Sequence, residues 1–230
     1  MQNHRKVIIL SLGGSLIIPD QVDVKTLKSF REVIKKNTNK YKFVIVCGGG
    51  STARKYINAL KEDNKSDYLQ SLIGISTTRL NARFMSYFFG KDPESGIPHD
   101  MKHIENLLRK QDIIFCGALR YAPNQTSDAT ACKLAALLKT DFINLTNVKG
   151  LYDKNPKDNP KAKFIPHATI EEFNKIVMAI KEKPGMHAPV DHTAMRVIRE
   201  HKIRTFILGS DARQLDNLLN NKPFIGTRIE

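Results

Sequence analysis

The run Val44-Ile45-Val46-Cys47-Gly48-Gly49-Gly50, followed at once by Ser51-Thr52-Ala53-Arg54-Lys55-Tyr56, constrains the fold more than any other stretch of this chain. Four apolar residues bounded by glycine read as a buried strand, and Ala53, Tyr56, Ile57 and Leu60 recur at helical spacing. A strand that passes into a helix through bare backbone has two readings. It is a tight turn packing the helix on a sheet, or a cradle in which backbone amides and the helix dipole meet an anion. The Gly-Lys-Ser/Thr ending of a Walker A loop is absent, and so is GxGxxG spacing.

The same alternation runs almost end to end. Strands are expected at 6–12, 42–47, 112–116, 141–146, 204–209 and 224–229, and helical faces lie between them, among them Val24, Leu27, Phe30, Val33 and Ile34. Continuously apolar strands separated by helices predict an α/β fold, a three-layer sandwich whose central, mostly parallel sheet is covered on both sides. Ligands then sit beyond the carboxyl ends of the strands. Residues 150–166 carry three prolines and many turn formers, so they are expected to form a loop or hairpin outside the main sheet. No low-complexity linker divides the chain, and a single domain over 1–230 is expected.

The formal charge of +14 at pH 7 suits an anionic ligand. The lysines are spread along the chain, with no basic block and no aromatic-basic stripe, so a solvated basic surface is favoured over a nucleic-acid partner. No apolar run is long enough to span a membrane, and the residues before the first strand are too short for a signal-peptide core. Cys47, Cys116 and Cys132 lack the spacing of a disulfide framework or a zinc site, which points to a reducing, cytoplasmic compartment.

Three further polar clusters follow strands. Ser11-Leu12-Gly13-Gly14-Ser15 repeats the logic of the glycine triple, with a plain turn as the alternative. Tyr121, Ala122, Pro123, Asn124, Gln125, Thr126, Ser127 and Asp128 lead into the helix at 129–138. Their hydroxyls are ordinary helix caps or ligands for phosphate and sugar. Thr146-Asn147-Val148-Lys149-Gly150-Leu151-Tyr152-Asp153-Lys154-Asn155-Pro156 is a glycine turn with a tyrosine to pack. His187 and His192 flank Pro189 and Asp191 without metal-ligand spacing, and ordinary polar roles are expected for both.

The last cluster resembles the nucleotide-binding segment of the amino acid kinase superfamily, whose members also carry strand-x-Gly-Gly-Ser and strand-Gly-Gly-Gly loops. All three occur here in order. Gly50 to Tyr56, Gly74-Ile75-Ser76-Thr77-Thr78-Arg79-Leu80-Asn81-Ala82, the 125–129 segment and Gly226-Thr227 are similar to the archaeal type of uridylate kinase within it. The resemblance covers nearly the whole chain. It implies transfer of the ATP γ-phosphoryl group to UMP with Mg²⁺, in a homohexamer built from dimers, with an acceptor-binding part over about 1–140 and an ATP-binding part over about 141–230. It further implies that Gly14, Ser15, Gly50 and Arg54 hold the ATP phosphates and that Thr146, Tyr152 and Asn155 border the adenosine. UMP falls to Gly49, position 71 and the loop from Tyr121 to Ser127. Asp191 matches an acidic residue that orders the catalytic cations rather than acting as a base.

Four positions depart from the pattern. Ser11 stands where many relatives have lysine, Lys149 where an acid is usual, Asn155 where Asp is common, and Ser71 where an Asp contacts ribose. Asp67 lies four residues before Ser71, on the same face of a regular helix. Lys149 is either a solvated loop lysine or the source of the cation missing at Ser11. Two rivals remain: a kinase of another small phosphate or carboxylate on the same fold, and a non-catalytic nucleotide-binding sensor or storage protein.

Overall fold

The computed structural model describes residues 5–92, 96–119, 121, 126–156, 158–180 and 189–230. The front of the chain gives β1 (Lys6–Leu12), α1 (Gly14–Ile17), α2 (Val24–Lys36), β2 (Tyr41–Cys47), α3 (Gly50–Glu62) and α4 (Asp67–Phe88). Next come α5 (Met101–Leu108), β3 (Ile113–Cys116), α6 (Ser127–Leu137), β4 (Phe142–Leu145), β5 (Leu151–Tyr152) and β6 (Phe164–Ile165). The chain closes with β7 (His167–Ala168), α7 (Ile170–Ala179), α8 (His192–His201), β8 (Thr205–Leu208), α9 (Ala212–Leu219) and β9 (Thr227–Ile229).

The main sheet runs in the order β3-β2-β1-β4-β8-β9-β7. Strands β1, β2, β3, β4 and β8 are mutually parallel, and β9 pairs antiparallel to β8. Residues 150–166 supply a separate two-stranded hairpin, in which Leu151 pairs with Ile165 and Tyr152 with Phe164. The final strand is shorter than the expected 224–229. Its Thr227-Arg228-Ile229 alternates buried and exposed, the pattern of a ribbon with one open face.

Side chains alternate across the sheet and build two cores. Ile9, Val44, Ile114 and Phe142 pack with Leu134, Phe173 and Ile198 on one face. Ile8, Leu10, Phe43 and Ile45 pack with Leu27, Phe30, Met85 and Leu215 on the other. The layers are therefore helices, sheet, helices. Helix α3 packs outside this frame on α4 and α1.

Register decides where the loops emerge. Leu12 stands opposite both Cys47 and Leu145, and Leu145 opposite Leu208, so four strands end in one row. The next residues, Gly13, Gly48, Thr146 and Gly209, leave the same edge side by side. Strand order reverses between β1 and β4, which is where a parallel sheet opens a crevice.

The two glycine loops meet at that crevice. A Cβ on Gly14 would fall on the Gly50 amide, 2.6 Å from Gly50 Cα and 2.8 Å from the Gly48 carbonyl carbon. Gly50 has φ +67° and its own Cβ would lie 2.6 Å from Gly14 O. A Gly14→Ala protein is thus expected to lose about 3 kcal/mol or more of stability, because backbone cannot yield as a side chain does. Urea unfolding of the two proteins measures the loss.

Candidate active site

Both glycine loops end with helix starts. Gly13 N–H donates to Leu145 O at 3.0 Å and Gly48 N–H to Leu12 O at 3.0 Å, which fixes each loop to its neighbouring strand. Gly14, Ser15, Gly49 and Gly50 keep amides with no backbone acceptor among the described residues. Such donors belong to the first turn of any helix and are the usual partners of an anion. Ser51, in the first turn of α3, adds a buried hydroxyl with no hydrogen-bond partner among the described residues. A native interior seldom leaves such a group unpaired without a ligand or water to take it.

Helix α4 holds these loops from outside. Asn81 Nδ2 donates to Gly48 O at 2.7 Å, and the Ala118 amide donates to Thr78 Oγ1 at 2.9 Å. Arg79 Nε donates to Ala118 O at 3.1 Å, and its NH2 group donates to Leu119 O. One helical turn therefore ties the glycine triple to the loop after β3. Tyr68 of α4 packs edge-on against Tyr121 at 4.8 Å between ring centroids. Ser71 and Asp67 are exposed on the same end of α4 as Tyr68. Ala122, Pro123, Asn124 and Gln125 lie outside the described residues, as does His187.

A carboxylate pair sits under the crevice. Thr126 caps α6, accepting from the Ala129 amide at 3.0 Å, and its hydroxyl donates to Asp191 Oδ2. Asp191 caps α8, with Oδ1 accepting from the Thr193 amide at 2.8 Å and the Ala194 amide at 3.0 Å. Asn144 of β4 holds the approach to this cap by donating to Pro189 O at 2.5 Å. Ser11 is fully buried in β1 and donates to Asp128 Oδ1 at 2.6 Å. Burial pushes the Asp128 carboxyl up to about 7, the Asp191 carboxylate adds to the rise, and the Ser11 bond offsets part of it. Two carboxylates with a threonine hydroxyl are the oxygen donors that Mg²⁺ takes alongside substrate phosphates.

Beside the pair lies a cavity of about 150 Å³, bordered by Thr146, Val148, Tyr152, Asn155, Ile176 and Pro189. Three expected adenosine contacts are thus brought together. Tyr152 stacks edge-on with Phe164 at 5.6 Å, and Asn155 Nδ2 donates to Asp158 Oδ2 at 2.6 Å. Thr227 pins this hairpin to the sheet, accepting from the Leu151 amide at 2.7 Å and donating to Ile165 O at 2.6 Å. Lys149 is exposed beside Gly209, and Arg54 is exposed on α3. His192 meets the Val177 and Ile180 carbonyls at 3.1 and 3.0 Å. That is an ordinary polar role.

The amino acid kinase family model matches residues 6–209. The chain belongs to the amino acid kinase family. It is 32% identical over 225 residues to the uridylate kinase of Thermococcus kodakarensis, covering 97% of this chain and 99% of that one. It is 31% identical over 218 residues to the uridylate kinase of Methanosarcina barkeri, covering 94% of this chain and 92% of that one. The crystal structure of uridylate kinase from Archaeoglobus fulgidus superposes with a TM-score of 0.82 at 28% identity, over 98% of this chain and 100% of that one. UMP kinase from Ureaplasma parvum, at 21% identity and a TM-score of 0.79 over 98% of this chain and 99% of that one, shares the fold. The amino acid kinase frame explains why these sites converge, since each follows a strand of the same sheet edge.

Asp128 is the residue that sequence reasoning undervalued. From sequence Asp128 reads, with Thr126 and Ser127, as an ordinary helix cap, and only the fold shows Ser11 and Asp191 beside it. Its raised pKa has a consequence for stability. Between the ordinary carboxylate range and about 7, the folded chain holds a proton that the unfolded chain releases, so stability falls as pH rises through that window. Asp128→Asn removes this term. Melting temperature is expected to drop less between about pH 5 and about pH 8 in the variant than in the parent.

Proposed function

We propose that the protein is an ATP-dependent UMP kinase that makes UDP on the route to CTP. The observation that carries this is the match over 97% of the chain to a uridylate kinase, in a chain that gathers glycine loops, a carboxylate pair and a tyrosine-lined cavity at one sheet edge. The cavity takes the adenosine of ATP through Thr146, Tyr152 and Asn155. Gly14, Ser15 and Gly50 meet the phosphates with backbone donors, and Arg54 adds charge. Gly49, Ser71, Tyr121, Thr126 and Ser127 face UMP, together with positions 122–125. The front of the chain, about 1–140, serves the acceptor and lends its glycine loops to the ATP phosphates, and the remainder holds the rest of ATP.

Phosphoryl transfer needs aligned oxygens and positive charge around a loose transition state. The acceptor is an already ionised phosphate oxygen, so no general base is required. Asp191 and Asp128 would hold Mg²⁺ with ATP, and the ion supplies positive charge to the group in transfer. Ser11 keeps Asp128 oriented, and Lys149 supplies the cation absent at Ser11.

Tyr56, Leu80 and Tyr87 are each about half exposed on α3 and α4. Exposed apolar groups on two helices that pack together favour burial against a second copy, in keeping with a hexamer of dimers. Cys47, Cys116 and Cys132 are free and buried, which suits the cytoplasm. No described helix is long and apolar enough to cross a membrane.

Release of ADP from ATP and Mg²⁺ is expected to be fastest with UMP among UMP, CMP, dUMP and isopentenyl phosphate. Clear preference for another acceptor, or no turnover with any, would sink the assignment. Lys149→Ala is expected to lower kcat roughly tenfold to a hundredfold with the fold intact. Unchanged turnover assigns Lys149 to the solvated surface.

A further inference from the structure

A second, larger cavity opens at the opposite edge of the sheet. Its volume is about 660 Å³, within the range of small-molecule sites. The floor is apolar: Ile8, Ile143, Phe206, Leu219 and Phe224. Phe206 and Phe224 meet edge to face with centroids 6.1 Å apart. The rim carries the side chains of Lys6, Arg204, Lys222 and Arg228, with the carboxylate of Asp141 among them and Glu230 just outside the lining. Asp141 is shared, 2.5 Å from Lys6 Nζ and 2.8 Å from Arg204 NH2, so that trio keeps one net positive charge. Arg228 pairs with Glu230 at 2.8 Å on the exposed surface, where such pairs are weak and exchangeable. The Arg204 guanidinium also lies over the Phe206 ring, 5.7 Å from its centroid.

Lys6 opens β1 and Leu12 closes it, so the cavity is about 20 Å from the glycine loops by strand rise. It shares no lining residue with the crevice. An inorganic anion makes no use of an aromatic floor, and a neutral apolar ligand makes no use of four cations. We infer that this cavity is a second ligand site, for an aromatic organic phosphate of nucleotide size. The ring lies on Phe224 and the Arg204 guanidinium, which already covers the buried Phe206, and the phosphates meet Lys222, Arg228 and Lys6. Guanidinium groups suit this task because they donate paired N–H bonds to phosphate oxygens and stack on flat rings.

Calorimetric titration of the metal-free chain with ATP tests the site, with inorganic triphosphate and adenosine as separate arms. The parent is compared with Lys222→Gln/Arg228→Gln, two exposed positions, and with Lys222→Gln alone. The double variant is expected to bind one equivalent of ATP fewer per chain while phosphorylating UMP as fast as the parent. The single variant should bind ATP at this site roughly threefold more weakly, the size of one exposed ion pair. Identical stoichiometry and affinity in parent and variants would overturn the inference. So would triphosphate or adenosine alone binding this site as tightly as ATP. Turnover of UMP is then read on the same proteins with Mg²⁺ added. Its absence from parent and variants alike would count against the kinase assignment and leave the difference of one equivalent standing.

Discussion

Everything at the carboxyl edge depends on backbone touching backbone where Gly14 meets Gly48 and Gly50. Parallel pairing of β1 with β2 sends both loops out of the sheet in the same row. At strand spacing of about 4.8 Å, there is no room between them for two layers of Cβ atoms. Glycine at Gly14 and Gly50 is therefore required by packing before any ligand is considered. The packing turn and the anion cradle are then one device. Loops pressed this close hold their free amides in fixed positions, and fixed donors stabilise a transferring group without reorganising.

That rigidity has to be maintained from outside, since three glycines in a row carry high conformational entropy when unfolded. Helix α4 supplies the restraint through Asn81 on Gly48 O and through Thr78 and Arg79 on the loop after β3. Below the loops, burial raises the Asp128 pKa and the nearby Asp191 carboxylate adds to the rise. With Ser11 in place of a lysine, nothing within the strand neutralises that pair.

The sheet was legible because its strands are continuously apolar, a signal that survives without knowledge of partners. So were the glycine loops and the hairpin at 151–165, whose prolines and turn formers act locally. The direction of β9 was not legible. Three residues give almost no periodic signal, and their pairing with β8 and β7 is a tertiary choice. Asp128 was hidden for another reason. Its chemistry comes from Ser11 and Asp191, more than sixty residues away on either side, and no local pattern encodes that meeting. Thr78, Arg79 and Asn81 stood out only as part of a family motif. Their work on Gly48, Ala118 and Leu119 became visible once α4 was placed.

The two edges of the sheet carry positive potential from different sources. At the carboxyl edge, α3, α6 and α8 all begin, so helix dipoles and unpaired amides supply positive potential without charged side chains. At the amino edge, α2 and α8 end, and their last turns carry Lys35, Lys36, Arg199 and His201 opposite the carbonyl ends. A ligand phosphate at that edge meets the negative end of the helices and can be held only by side-chain cations. The rim of Lys6, Arg204, Lys222 and Arg228 is what such a site needs. The free amides of the glycine loops need none of the chain's formal charge of +14 to meet an anion, and at the amino edge side-chain cations are the only source of positive potential that the rim offers.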